Sequence, residues 1–171
     1  GRYVVFTSDR SDGVSQVFRM MADGSKVTEL TDHSRPVSFW SEVVVSPDDE
    51  WIAYSANESE NLQNLDVWIV KMEGSEKEKL FSVRDGSRET VHDWSEDGSM
   101  LLIKSDHSGT DKAGVYHLES EEVEWFGRNE APERPIRFAC DDENIVVGRD
   151  VDAEGKLVFY DIPSGSERVL D

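Results

Sequence analysis

Short unbroken apolar runs punctuate this chain at residues 4–6, 52–54, 101–103 and 145–147, each set between polar and glycine-containing stretches. A run without alternation suits a strand covered on both faces. After a polar loop each run is followed by a second apolar segment, at 17–20, 67–70, 115–118 and 158–161, in which Phe18, Trp68, Tyr116 and Phe159 read as one recurrent packing anchor. The two sets of segments recur together at a spacing of roughly 40–50 residues, the size of a propeller blade built only of strands.

The remaining strands fall into place around these two. Turns at Ser46-Pro47-Asp48-Asp49, Ser95-Glu96-Asp97-Gly98 and Cys140-Asp141-Asp142-Glu143 carry the proline, acidic and glycine residues that tight turns use. They join inner strands at 43–45, 91–94 and 136–139 to the apolar runs. Outer strands at 27–30, 78–81, 123–126 and 168–170 alternate polar and apolar, as an edge with one wet face does. The pattern predicts an all-β chain, a partial β-propeller of about four blades of four-stranded antiparallel sheet. It forms a single propeller fragment over 1–171, with blades near 1–31, 43–81, 91–126 and 136–171 and the inner strand of the first one missing. Open faces on the terminal blades predict either self-association or imperfect closure as a small propeller.

Charge narrows the partners. The net charge is −19, from 37 acidic against 18 basic residues, and the excess runs through every repeat. Such a field repels phosphates and anionic headgroups, which argues against nucleic acid and membranes. It also suits a high-salt cytoplasm, where screening removes self-repulsion. The one cysteine, Cys140, excludes an intrachain disulfide and reads as a buried, inert thiol at a strand end. No run approaches a membrane span, and the first residues have no signal-peptide apolar region, so a cytoplasmic location is expected. The chain opens inside a strand, as a part of a longer protein does.

The stretch Ser46-Pro-Asp-x-x-Trp-Ile-Ala-Tyr-Ser55, followed by Asp66-Val-Trp-Ile-Val70, resembles the repeat of TolB and tricorn-type β-propellers. The same repeat builds the propeller of the prolyl oligopeptidase family of serine peptidases, acylaminoacyl peptidases included. Residues 89–98, with 114–118 and 123–127, are similar to propellers of haloarchaeal members of that family. The resemblance implies a non-catalytic propeller that gates peptide substrates on their way to a C-terminal α/β-hydrolase domain of the same parent protein. The alternative is a stand-alone TolB-like module that binds a protein or peptide.

The candidate chemistry is sparse. No G-x-S-x-G nucleophile elbow occurs, so no catalytic residue is assigned and no cofactor is expected. His92, Asp93 and Ser95 supply triad residue types, but alternation along one strand points them to opposite faces. His92 is instead expected to line a channel or face a partner, as is Trp40, which lies in a linker outside the repeat. Trp51 and Trp125 read as core. Asp150, Asp152 and Glu154, with Asp161 at the twelfth position, echo a calcium loop, although a hairpin turn explains the same residues. His33, His107 and His117 have no metal spacing and read as surface or half-buried filler.

The charge distribution makes salt the first experimental lever. The thermal midpoint should rise between about 0.1 M and 2 M KCl as the screening length contracts from about 10 Å to below 3 Å. A midpoint independent of salt in calorimetry would remove self-repulsion as a determinant of stability.

Overall fold

The computed structural model describes residues 1–38, 42–127, 131–151 and 154–170, and every regular element among them is a strand. The first sheet contains β1 (Tyr3–Ser8), β2 (Gln16–Met21) and β3 (Thr28–Glu29). In the second are β4 (Val44–Val45), β5 (Trp51–Ala56), β6 (Asp66–Lys71) and β7 (Lys77–Phe81). A third holds β8 (Glu89–Trp94), β9 (Met100–Ser105), β10 (Lys112–His117) and β11 (Glu122–Trp125). The fourth consists of β12 (Glu133–Phe138), β13 (Asn144–Val151), β14 (Glu154–Asp161) and β15 (Glu167–Leu170). Strand order within each sheet follows chain order, so each is an antiparallel meander, and the first has three strands where the others have four. Contacts divide the chain into two compact units, Gly1–Val91 and His92–Asp171, with the division inside β8.

The tight turns use one design. Ser46 Oγ donates to Asp48 Oδ1 at 2.6 Å and accepts from Trp51 N at 2.9 Å, closing the β4–β5 turn. Ser95 repeats this with Asp97 and Met100, at 2.8 and 2.9 Å. The left-handed backbone positions are Asp49 (φ 61°), Gly98 (φ 74°) and Asp142 (φ 51°), residue types that tolerate αL. In the β12–β13 turn the serine slot belongs to Ala139, whose N–H donates to Asn144 O at 2.8 Å. Cys140 therefore occupies the slot of Pro47 and Glu96, one residue further on. It is exposed rather than buried, because that turn position faces solvent.

Each unit has its own core. In the first, Val17, Ile52, Tyr54 and Val70 pack with Val37 and Met72. The second is built on Leu102, Val115, Phe138, Ile145, Val147 and Val158. β5 and β9 are buried on both faces, as their unbroken apolar runs predict. β1 departs from this: Val4 is 40% exposed, and Val5 and Phe6 are only partly covered. Arginines lie over the aromatic rings there. Arg10 stands 4.9 Å from the Phe6 centroid and 5.4 Å from Phe18, and Arg19 is 5.0 Å from Tyr3.

Pairing registers revise the recurrent aromatic position. Phe18 pairs with Phe6 and Trp68 with Tyr54, but the corresponding residue of β10 is Gly114, opposite Ile103, not Tyr116. In β14 it is Val158, one residue before Phe159. Tyr116 therefore stands two residues further along the same face, and Phe159 one residue on, pointing to the opposite face. The missing β10 side chain is replaced from the neighbouring strand. Gly114 pairs with Trp125, whose ring carbons lie 2.7 Å from where a Gly114 Cβ would stand. A Gly114→Ala substitution should consequently destabilise the chain by about 1–3 kcal/mol through overpacking. Denaturant unfolding followed by tryptophan fluorescence will measure it, and an unchanged midpoint would mean that Trp125 moves aside freely.

Candidate functional site

Two buried polar clusters stand out, one in each unit, and each lies beside a cavity. In the first unit His33 is only 2% exposed, so its reading as surface or half-buried filler is corrected. Its Nδ1 lies 2.5 Å from Glu58 Oε1 and its Nε2 2.9 Å from the Tyr54 hydroxyl. Gln16 clamps the same segment: its Oε1 accepts from Thr31 Oγ1 (2.8 Å) and His33 N (3.0 Å), and its Nε2 donates to His33 O (2.7 Å). Burial lowers the His33 pKa, outweighing the opposing Glu58 hydrogen bond, and burial raises that of Tyr54. A neutral imidazole thus donates Nδ1–H to the carboxylate and accepts the phenol proton at Nε2, the only tautomer that satisfies both partners.

That imidazole also packs edge-on against Trp68, with centroids 4.9 Å apart. Trp68 and Asp66 lie two residues apart on β6 and therefore share a face. Across the sheet, Tyr54, Trp68 and Lys79 form one ladder, and a register irregularity between Val67 and Trp68 marks the β6–β7 pairing. These residues border a cavity of about 400 Å³, walled by Glu58, Ser59, Asn64, Asp66, Trp68, Lys79, Ser82 and Asp85. Its loops are held by side-chain bonds. Asn57 Oδ1 accepts from Ser59 N at 2.8 Å, and Asn64 Oδ1 accepts from Gly86 N at 2.9 Å. Asp66 is 4% exposed. Its Oδ2 lies 3.5 Å from Lys79 Nζ, while Asp66 Oδ1 and Trp68 Nε1 are buried with no hydrogen-bond partner. The cavity thus borders both an unmet acceptor and an unmet donor.

In the second unit the polar cluster is an ion network. Glu133, fully buried, accepts at Oε1 from Arg149 Nε (3.0 Å) and Nη2 (2.8 Å) and from the Tyr160 hydroxyl (2.6 Å). Arg149 also reaches Glu167 Oε2 at 2.7 Å and bonds the Tyr160 hydroxyl. The Glu167 bond raises the Arg149 pKa, Glu133 adds to it and burial opposes it. Tyr160 is raised chiefly by burial. Gly127, at φ 90°, passes so close to the Glu133 carboxylate that no side chain fits there. A cavity of about 490 Å³ adjoins, bordered by Trp125, Gly127, Tyr160 and Glu167 among others. Because Glu133 and Glu167 both bind Arg149, this network serves architecture first.

The residues singled out in the sequence are not brought together. His92 lies half-buried on β8, Asp93 Oδ2 accepts from Phe138 N at 2.9 Å, and Ser95 Oγ is committed to its turn. They form no proton relay. Trp40 and Asp152 lie outside the described residues. Asp150 and Glu154 are exposed at the closed end of the β13–β14 hairpin, with Asp150 3.4 Å from Arg134 Nη2. Asp161 pairs with Asn144 at the far end of that hairpin, about 20 Å away along the strand, so the calcium-loop echo is a hairpin. Among the described residues no group of three or more His, Cys, Asp or Glu side chains could hold a metal ion. Glu58, Asp66, Lys79 and the buried role of His33 were missed. The one available signal was Asp66-Val-Trp68, a polar and an aromatic residue on one strand face.

No protein-family model matches the chain, and no curated protein matches it in sequence. Solved structures do match. A putative TolB from Agrobacterium tumefaciens superposes with a TM-score of 0.78 at 15% identity, over 100% of this chain and 61% of its own. An oligogalacturonate lyase from Vibrio parahaemolyticus gives 0.73 at 19%, over 100% and 49%. Prolyl oligopeptidase B from Galerina marginata gives 0.69 at 14%, over 100% and 27%. The chain is a partial β-propeller of the kind these proteins contain. It spans between about a quarter and three-fifths of their lengths, and at such identities the likeness is one of fold.

The histidines set a pH limit on that fold. His92 is pushed down to about 4 by burial, with Lys104 adding and Asp111 opposing. The unfolded chain therefore takes up protons first, through about pH 6.5. Stability should be full above that value and fall by on the order of 2 kcal/mol as pH drops toward 4. Urea unfolding at stepped pH will measure the loss, and His92→Gln should flatten part of it. A wild-type profile flat over this window would deny the desolvation of His92.

Proposed function

We propose that this chain is the non-catalytic propeller part of a serine peptidase of the prolyl oligopeptidase type, restricting peptide access to a hydrolase domain carried outside these residues. The supporting observation is the end-to-end likeness of this chain to a part of prolyl oligopeptidase B amounting to 27% of that protein, in a sequence with no nucleophile elbow of its own. Polar groups that could act in catalysis, His33, Asp93 and Ser95, are committed to structural bonds. Halophilic origin and a cytoplasmic location belong to the same reading and rest on composition.

A second reading, a TolB-like module that binds a peptide or protein, draws on the likeness to TolB and on the unmet polar atoms at the first cavity. The full product of the gene, treated with a fluorophosphonate, should label at a serine beyond residues 1–171 and cleave short acyl-peptides while sparing a folded protein. The 171-residue chain alone should do neither. A label inside 1–171 would overturn both readings, and a full-length product that never labels would leave the binding module.

A further inference from the structure

Asp66 Oδ1 and Trp68 Nε1 require an explanation, since buried polar atoms in folded proteins are almost always paired. Leaving an acceptor and a donor unmet costs the desolvation of each group, more where the group is charged. The side-chain polar atoms of Gln16 and His33 are met by structural bonds, whereas Asp66 Oδ1 and Trp68 Nε1 are not. Both instead belong to residues bordering the same cavity, side by side on one face of β6.

The charge around them has one sign. Glu58, Asp66 and Asp85 border the cavity against a single ammonium, Lys79. That ammonium stands at 3.5 Å from Asp66 and is half exposed, a weak contact. Lys77, beside the Trp68 ring at 6.0 Å, is neutralised by Asp32 at 2.5 Å. Neutral His33 leaves the Glu58 charge uncancelled. The cavity therefore favours a cation, and the indole N–H adds a demand for a hydrogen-bond acceptor nearby in the same ligand.

We propose that this cavity binds a primary ammonium group carrying a hydrogen-bond acceptor a few atoms away. The ammonium donates to Asp66 Oδ1, with Glu58 or Asp85 as further acceptors, and the neighbouring carbonyl or hydroxyl oxygen accepts from Trp68 Nε1–H. Two ligand sources share this chemistry, the amino terminus of a peptide and a free amino alcohol. The proposal rests on the reading of the chain as a module that handles peptides, but the 171-residue chain tests it separately. A negative result here leaves the serine-labelling experiment untouched, and the converse holds.

The experiment follows the indole N–H resonances of ¹⁵N-tryptophan-labelled protein, assigned with Trp68→Phe, during titration with glycylglycinamide, with ethanolamine and with the N-acetylated form of each. The Trp68 resonance should shift with a free amine and remain still with its acetylated counterpart. A shift with glycylglycinamide alone assigns the site to peptide amino termini, with ethanolamine alone to amino alcohols, and with both to the shared group. Asp66→Asn, nearly isosteric and relieved of a buried charge, should fold and bind roughly tenfold or more weakly. Lys79→Ala, which removes the competing ammonium, should bind more tightly. Equal shifts with free and acetylated probes, no shift with any probe, or undiminished binding by Asp66→Asn would each overturn the proposal.

Discussion

A backbone hydrogen bond to the preceding sheet recurs three times, at Val37, which bridges to Ala56 ahead of β4, and at the first residues of β8 and β12. Val37 N–H donates to Ser15 O at 2.8 Å, Glu89 N–H to Leu65 O at 2.9 Å and Glu133 N–H to Asp111 O at 3.0 Å. A buried amide must find an acceptor, and each is met by the residue just ahead of β2, β6 or β10 in the preceding sheet. The side chain of the donating residue is sealed by this arrangement: Val37 is 1% exposed, Glu89 and Glu133 0%. Valine there simply extends the core. Glutamate there places a carboxylate in the interior, and the surrounding structure must answer it.

In the second unit the answer is Arg149, brought opposite Glu133 by the β12–β13 register and shared with Glu167. Breaking such a pair by removing one partner leaves an uncompensated buried charge, so the network fixes register more than it adds stability. In the first unit the His33 cluster is saturated, each ring nitrogen and each Gln16 side-chain atom having its partner, whereas Glu133 Oε2 in the second has none. Asp66 and Trp68 differ from the His33 cluster. They adjoin a saturated network yet keep an acceptor and a donor unused, two residues apart on one strand beside a cavity. Because the fold is shared by proteins as unlike as TolB, a lyase and a peptidase, these two residues say more about function than the blades do.

Much of the fold was legible because blade strands carry local signals. The unbroken apolar runs marked β5 and β9, and the Ser-x-Asp turns marked where β4 meets β5 and β8 meets β9. Legibility failed where a residue's role depends on its register. Tyr116 and Phe159 resemble Trp68 in a linear reading, but cross-strand pairing puts Gly114 and Val158 in its place, and Trp125 fills the gap from another strand. Cys140 likewise slipped one position, because Ala139 rather than cysteine takes the serine slot of its turn.

The amino-acid sequence by itself determined the all-strand class, the repeat, the three-stranded first sheet and the acidic surface, since each follows from local periodicity or a sum over residues. Tertiary structure alone decided which polar residues are interior. His33 lies on no regular element, Glu58 is in a loop and Lys79 on an outer strand, and only folding gathers them around Asp66 and Trp68. Burial and hydrogen-bond satisfaction are properties of that gathering, and they separate a structural carboxylate from one left open to a ligand.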